Sequence, residues 1–411
     1  MIFESTRAAG QARIADFLPR AGPAYSETRN FGDGVPDDGA RQNVSQLSPW
    51  LHAGLIGEAE IIGAVLSQHR PQAAESFISE VFWRVYFKGY LEHRPTIWRA
   101  SCEQRGAALA EIGRNSGLRT AHSAAVVGRT GIAALDHWAR ELVETGYLHN
   151  HARMWFASIW IFTLRLDWTL GADFFLRHLI DGDAASNTLS WRWVAGLHTK
   201  GKTYLARADN IARYTGNIPG GPLAAQALAD EAPPLVEQHE HGRSALTLPS
   251  AASVSALKQP FALLLHDEAA SHVPLILPAA PTLVIGAARP DARSPLETGN
   301  RARNFARSAV ENGVCEAGKA FSCAIRSWEA DESLAQIIAS AGLARIALPY
   351  LPTGWTRDAL LPDLEPLMAS GNAGMLLDDL SRGTWHHAKA GFFGVKKEIS
   401  AILGEIGLVA G

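Results

Sequence analysis

Cysteine is scarce in this chain. The 411 residues hold three, Cys102, Cys315 and Cys323. Scattered singly, they form neither a disulfide framework nor a metal-ligand spacing, and an iron–sulfur cubane calls for four. An excess of one charge is also missing: 38 Lys and Arg face 41 Asp and Glu, for a net charge of −3. Residues 1–220 hold 23 basic against 21 acidic groups. That excludes a globally basic surface, so contact with nucleic acid would rest on a local patch. Long apolar runs are absent too. Met154–Leu164 is too short to span a bilayer, and Val273–Ala288 is interrupted by Pro274, Pro278 and Pro281. The N-terminal MIFESTRAAGQARI has no apolar signal core. G-x-G-x-x-G does not occur, and no internal repeat is visible. The expectation is a cytoplasmic monomer without a membrane segment or a metal centre; adjacent His386 and His387 read as surface residues, having no carboxylate partner.

Tryptophan, by contrast, is plentiful. There are 12, and nine fall between Trp50 and Trp193. One indole is ordinary core filler, whereas a concentration suits a site that stacks flat rings or conducts electrons. Residues 1–220 read as helical, with apolar positions Ile132, Leu135, Ala139, Leu142 and Val143 spaced by three and four. Arg153–Trp168 is apolar nearly all round and predicts one buried helix. Residues 221–260, with GGP, APP and LPSAASVSA, read as a linker. Beyond them, strands are predicted at 261–265, 282–285, 321–325, 345–348 and 375–377. Helices are predicted between them at 302–312, 332–341 and 362–370. Such alternation argues a parallel α/β sheet over 261–411. The fold class is therefore an all-helical domain followed by a smaller parallel-sheet α/β domain.

Polar groups punctuate the helical half in a definite order. Tyr25 is followed by N-V-S-Q-L-S-P-W-L-H-A-G from Asn43, then S-E-V-F-W-R-V-Y-F from Ser79. Next come G-Y-L-H-N-H-A-R-M ending at Met154, Asp167-Trp168, and L-I-D-G-D-A-A-S-N-T-L-S-W-R-W ending at Trp193. Charged groups among apolar neighbours are costly to bury without partners, so a polar ligand fits this region. Read alone, Ser48 before Pro49 is a helix cap and Asp181-Gly182-Asp183 is a turn.

The order and spacing resemble the DNA photolyase/cryptochrome family. The resemblance implies FAD as cofactor, gripped by Tyr25, by Ser45, Gln46, Leu47 and Ser48 at the pyrophosphate, and by Trp83 and Arg84. Asn150, Arg153, Asp181, Asp183 and Asn187 would meet the ring, with Asn150 at its reactive edge and Asp183 at its pyrimidine edge. Glu80, Trp83, His151, Met154 and Trp193 would line a pocket for a flipped-out pyrimidine dimer, since a base taken out of the duplex must be stacked and read along its polar edge. Glu80 and Asn150 are the catalytic expectations, with Trp191 and Trp168 as the inner pair of an electron relay. The outer relay member is open among Trp98, Trp155 and Trp160. His149-Asn150 suits the cyclobutane type better than paired histidines would. The implied activity is blue-light-driven repair of cyclobutane pyrimidine dimers in DNA, with a cryptochrome-like photoreceptor as the alternative.

Departures accompany the resemblance. Val44 and Gln46 alter the pyrophosphate segment, His151 replaces an arginine, and G-L-H-T-K-G-K-T-Y-L-A-R follows Trp193, leaving Lys200, Lys202 and Arg207 as candidate phosphate contacts. In the family the α/β domain comes first. Here the alternating pattern comes last, which implies a circular permutation, with an unrelated α/β domain fused downstream as the alternative. An antenna chromophore, folate or deazaflavin, belongs to that domain in the family, and no residue here identifies one.

Overall fold

The computed structural model describes residues 3–33, 40–249 and 260–409. Twelve α-helices make up the first part among the described residues: α1 Arg7–Phe17, α2 Pro23–Thr28, α3 Ser48–His52, α4 Glu58–Gln68, α5 Glu75–Glu92, α6 Pro95–Arg114, α7 Ser116–Val126, α8 Ala133–Thr145, α9 Asn150–Ser158, α10 Trp168–His178, α11 Ala184–Val194 and α12 Ala208–Tyr214. No helix among the described residues is long and apolar enough to cross a membrane. Caps follow from sequence. Thr6 accepts from the Ala9 N–H to open α1, and Gly146, at φ +70°, closes α8 in the left-handed region that glycine adopts without strain.

The helix expected over 153–168 is instead broken. It ends at Ser158 and continues as a π-turn over Ile159–Thr163. Leu164 N–H reaches back to the Ile159 carbonyl at 2.9 Å, and Asp167 then caps α10 by accepting from Thr169 N–H at 2.8 Å. Hydrophobicity all round carries no signal of such a widening.

Five parallel strands follow: β1 Ala262–His266, β2 Leu283–Ala287, β3 Ala324–Ser327, β4 Ile346–Pro349 and β5 Ala373–Leu376. Their order is β3-β2-β1-β4-β5, a doubly wound arrangement; the parallel sheet is the one expected from the alternation. Two boundaries differ from the sequence reading. Residues 302–312 lie inside a 22-residue helix, Asn300–Phe321, so Phe321 ends a helix rather than starting a strand. Its buried positions Phe305, Ala309, Gly313 and Ala317 keep helical spacing, and Gly313 lies where a side chain would strike the Ala270 carbonyl. The helix expected to begin at Pro362 begins at Trp355 and carries Pro362 and Pro366 inside it.

The two halves share one core. Phe17, Trp50, Ile62 and Phe82 from the helices join Phe261, Leu263, Leu265 and Val284 from the sheet in a single buried cluster. The other face of β1, Ala262 and Leu264, packs with Ile338, Leu348 and Leu360. The segment read as a linker is irregular over 221–249 but tied to the helices throughout. Ala134 N–H donates to Ala224 O, Leu235 N–H to Ala195 O, Ser244 N–H to His93 O, and Glu237 ion-pairs with buried Arg192. Residues 250–259 of that linker lie outside the described part.

Candidate functional site

The Asp181-Gly182-Asp183 turn stands at the junction of α10 and α11. Asp183 caps α11 by accepting from Ser186 N–H at 2.6 Å. Arg153 on α9 donates through Nη2 to Asp181 at 3.0 and 3.2 Å, so the expected Arg–Asp pair forms. Tyr147 lies under the Arg153 guanidinium at 5.6 Å. Asn187 donates to the Ala172 carbonyl. Asn150 opens α9 with an exposed side chain, although the resemblance assigns it to the reactive edge of a buried ring.

Asp183 sits in a buried group of charges that the sequence reading did not foresee. Its Oδ2 lies 3.4 Å from Lys88 Nζ, 3.6 Å from Arg84 Nη2 and 4.0 Å from His52 Nδ1. Lys88 Nζ also reaches Glu268 Oε2 at 2.7 Å, and Arg84 Nε reaches Glu58 at 3.0 Å. Burial opposes charge on Asp183, but Lys88 and Arg84 outweigh it and hold the carboxyl well below the usual range. Burial pushes His52 well down and keeps it neutral. His52, Asp183 and Glu268 offer ligand atoms within 4.8 Å of one another, but the Lys88 ammonium already serves as their cation. The only hint in sequence was the i,i+4 spacing of Arg84 and Lys88 on α5.

The pyrophosphate segment is held from behind. Buried Arg13 donates to the carbonyls of Arg41, Val44 and Ser45. Gln46 adopts φ +52°, and its side-chain oxygen accepts from Arg41 N–H at 2.7 Å, so this amide oxygen is already taken. Helix α3 starts at Ser48 itself with Leu47 as the capping residue, so Ser48 is not the cap that its place before Pro49 predicts. Ser45 Oγ accepts from Leu47 N–H. Tyr25 is buried against Phe17 and Phe77.

On α5 the expected dimer-pocket residues are engaged by the chain itself. Glu80 ion-pairs with Arg29. Trp83 stacks on Phe392 at 4.0 Å and 14°, so it does not face an open cavity on that side. His151 stacks on Trp155 at 4.1 Å, Trp193 on Tyr204 at 5.8 Å, and Met154 is half-buried. Lys200, Lys202 and Arg207 are exposed, with Lys200 paired to Glu240, and His386 and His387 are exposed.

The tryptophans expected to form a relay are all buried, with these ring neighbours. Trp160, one of the outer candidates, is the tryptophan whose ring meets Trp191 among the described residues, at 6.3 Å and 86°. Trp168 instead lies under Arg192 at 5.9 Å. The π-turn carries Trp160 to that position, and Gly171 leaves the room: a Cβ there would fall 2.2 Å from Trp191.

Several groups suit a flavin. Among the described residues, buried Trp191 Nε1, Ser186 Oγ and His149 Nε2 have no partner, which fits a polar ligand beside the α9 and α11 segments. The Arg153–Asp181 pair suits the polar edge of an isoalloxazine.

Residues 77–216 match the family described as the FAD binding domain of DNA photolyase. The deoxyribodipyrimidine photo-lyase of Streptomyces griseus is 32% identical over 203 residues, 43% of this chain and 40% of its own length. That of Vibrio cholerae is 28% identical over 53% of this chain and 45% of its own length. That of Synechococcus is 33% identical over 47% of this chain and 39% of its own length. This chain thus spans under half the length of these relatives. A class III photolyase from Agrobacterium tumefaciens aligns with a TM-score of 0.42 and 26% identity, covering 51% of this chain and 43% of that one. A cryptochrome of Synechocystis aligns with a TM-score of 0.40 and 26% identity, covering 52% and 44%. Over residues 77–216 the chain thus carries the FAD-binding domain of the photolyase/cryptochrome family.

Proposed function

We propose that this protein is a blue-light-driven lyase that repairs cyclobutane pyrimidine dimers in DNA. The observation that carries the reading is the Arg153–Asp181 pair together with buried, unpartnered Trp191 Nε1, all within residues matching a photolyase FAD-binding domain. When bound, reduced FAD supplies an electron on excitation. Arg153 and Asp181 would hold and orient the ring, and Asp183 would present its carboxylate to the pyrimidine edge. Ser45 and Ser48 bind phosphate oxygens. Glu80, released from Arg29, hydrogen-bonds the dimer and stabilises the charge it gains. Trp83, Met154, His151 and Trp193 wall the pocket, and Asn150 meets the reactive edge. Trp191 and Trp168 would be the inner pair of an electron relay, and the Trp160 ring, 6.3 Å from that of Trp191, is the outer candidate this contact favours.

A second reading, a cryptochrome-like photoreceptor, is favoured by one feature: Glu80 and Trp83 are both occupied by the chain's own Arg29 and Phe392. The test is blue-light irradiation of the reduced holoprotein with a dimer-containing oligonucleotide. Repair should be detected, and Glu80→Ala should slow it about 10- to 100-fold while flavin stays bound. Flavin photoreduction without loss of the dimer eliminates the lyase reading and leaves the photoreceptor.

We also propose that residues 1–220 and 261–411 are the family's two domains in permuted order. The doubly wound sheet and the core shared with the helices support this. Superposition of an experimental structure on a full-length relative is the check; an α/β domain docked on another face removes the idea.

A further inference from the structure

The α/β half reaches into the turn that the flavin reading assigns to the ring. Arg293 Nη1 donates to the Leu179 carbonyl at 2.7 Å, and Trp355 Nε1 to the Gly182 carbonyl at 3.2 Å. Arg293 packs over the Trp355 ring at 4.9 Å. A Cβ on Gly182 would fall 2.7 Å from Arg293 Nη1, so glycine is what permits this grip. The third contact is electrostatic. Lys88 stands between Asp183 of the turn and Glu268, just beyond β1, and both carboxylates are almost fully buried. Glu268 is held in turn: its N–H donates to His266 Nδ1, and Ala270 N–H donates to the Ala53 carbonyl. Gly54, at φ +62°, lets the two backbones approach; a Cβ there would lie 2.6 Å from Ala269 Cα.

A buried charge triad gains little stability over apolar packing and costs much when broken. What it does supply is a fixed charge at a fixed place, in a medium where charges act strongly. The Lys88 charge is divided between two carboxylates. Removing Glu268 leaves all of it to Asp183; removing Lys88 leaves Asp183 to Arg84 alone.

We propose that Lys88 and Glu268 are positioning residues of the flavin site, acting through Asp183 to set the charge at the ring's edge, so that the α/β domain is part of that site. This rests on the flavin reading above. Its consequence is a pair of opposite effects on flavin redox equilibrium. Glu268→Gln removes a negative charge and favours the reduced, anionic ring. Lys88→Met removes a positive charge and favours the oxidised ring.

The test uses the full-length holoprotein, equilibrated anaerobically against a reference dye. The ratio of reduced to oxidised flavin at fixed potential should rise about tenfold for Glu268→Gln and fall about tenfold for Lys88→Met, ~30 mV each for a two-electron couple. Lys88→Arg, which keeps the charge, should stay near wild type. So should Glu240→Gln, which removes an exposed ion pair. Shifts of the same sign in both variants, or none, overturn the proposal while the flavin reading stands. Wild-type protein that retains no FAD overturns both.

Discussion

Gly171 shows how much one atom decides in this protein. The residue lies on α10 where the edges of Trp191 and Trp160 converge, with a Cβ position 2.2 Å from the first and 3.0 Å from the second. Neither indole has space to retreat, since both are buried. We expect Gly171→Ala to lower stability by about 1–3 kcal/mol through overpacking. It should also slow flavin photoreduction by displacing the Trp191–Trp160 contact. Unfolding midpoints and transient absorption check the two effects, and unchanged photoreduction would show that this pair carries no electrons. At this scale the sequence was informative where chemistry repeats a pattern and silent where it does not. Arg153 and Asp181 were named and are paired. Arg13, His52, Lys88 and Glu268 were not, because a charge's partner is set by contacts between residues far apart in the chain, 180 positions for Lys88 and Glu268. Trp168 was expected beside Trp191; the π-turn puts Trp160 there, and widening by one residue leaves no mark on hydrophobic periodicity.

Helix α5 is the element on which most of the assignments meet. Its 18 residues carry Glu80, Trp83, Arg84 and Lys88. The C-terminal segment lies along it: Tyr86 Oη donates to the Ala390 carbonyl, His93 Nε2 lies 3.0 Å from the Trp385 carbonyl, Arg94 donates to Lys389 O, and Phe392 stacks on Trp83. Gly89 makes room for the Trp385 ring. We expect Phe392→Ala to cost about 3 kcal/mol, as for a large buried side chain. If the stacked ring shields the pocket, the variant should also bind a dimer-containing oligonucleotide more tightly, several-fold in Kd. Acrylamide quenching measured against a Trp83→Phe reference reports whether Trp83 becomes accessible; unchanged quenching and affinity would sink the shielding idea. Helical periodicity disclosed α8, and the alternation of short apolar runs disclosed the sheet. Boundaries moved where local signals compete. Proline reads as a helix start, yet Pro362 and Pro366 lie inside a helix whose first turn is anchored by buried Trp355.

Histidine burial governs the molecule as a whole in acid. Burial pushes His149 down to about 3, and His178, His198 and His266 down to about 4. In the unfolded chain each titrates near 6.5, so between about pH 6.5 and 4 the unfolded state binds more protons. The stability these groups contribute is present above about pH 6.5 and lost as pH falls, at most roughly 3 kcal/mol for each of the three near 4 and roughly 5 kcal/mol for His149. Asp183, held ionised, adds loss in the same direction at lower pH. Asp267, raised to about 6 by burial, acts oppositely: its contribution is present in acid and lost as pH rises through 6. Four histidines outweigh it. We expect Tm to fall steadily from pH 7 to pH 4, in one transition because the core is continuous across both halves. A Tm that is level or rising over that range would contradict these assignments.

The sequence by itself determined the class of each half, the order of the halves, and the residues matching a flavin site. Periodicity and motif spacing are local or ordered along the chain, so they survive without coordinates. Only the tertiary structure decided what each charge and ring touches. It placed Lys88 between two domains, closed Phe392 over Trp83, and tied the supposed linker to the helices. Those choices arise when distant segments compete to bury apolar surface and satisfy polar groups, and that competition is settled in the folded chain alone.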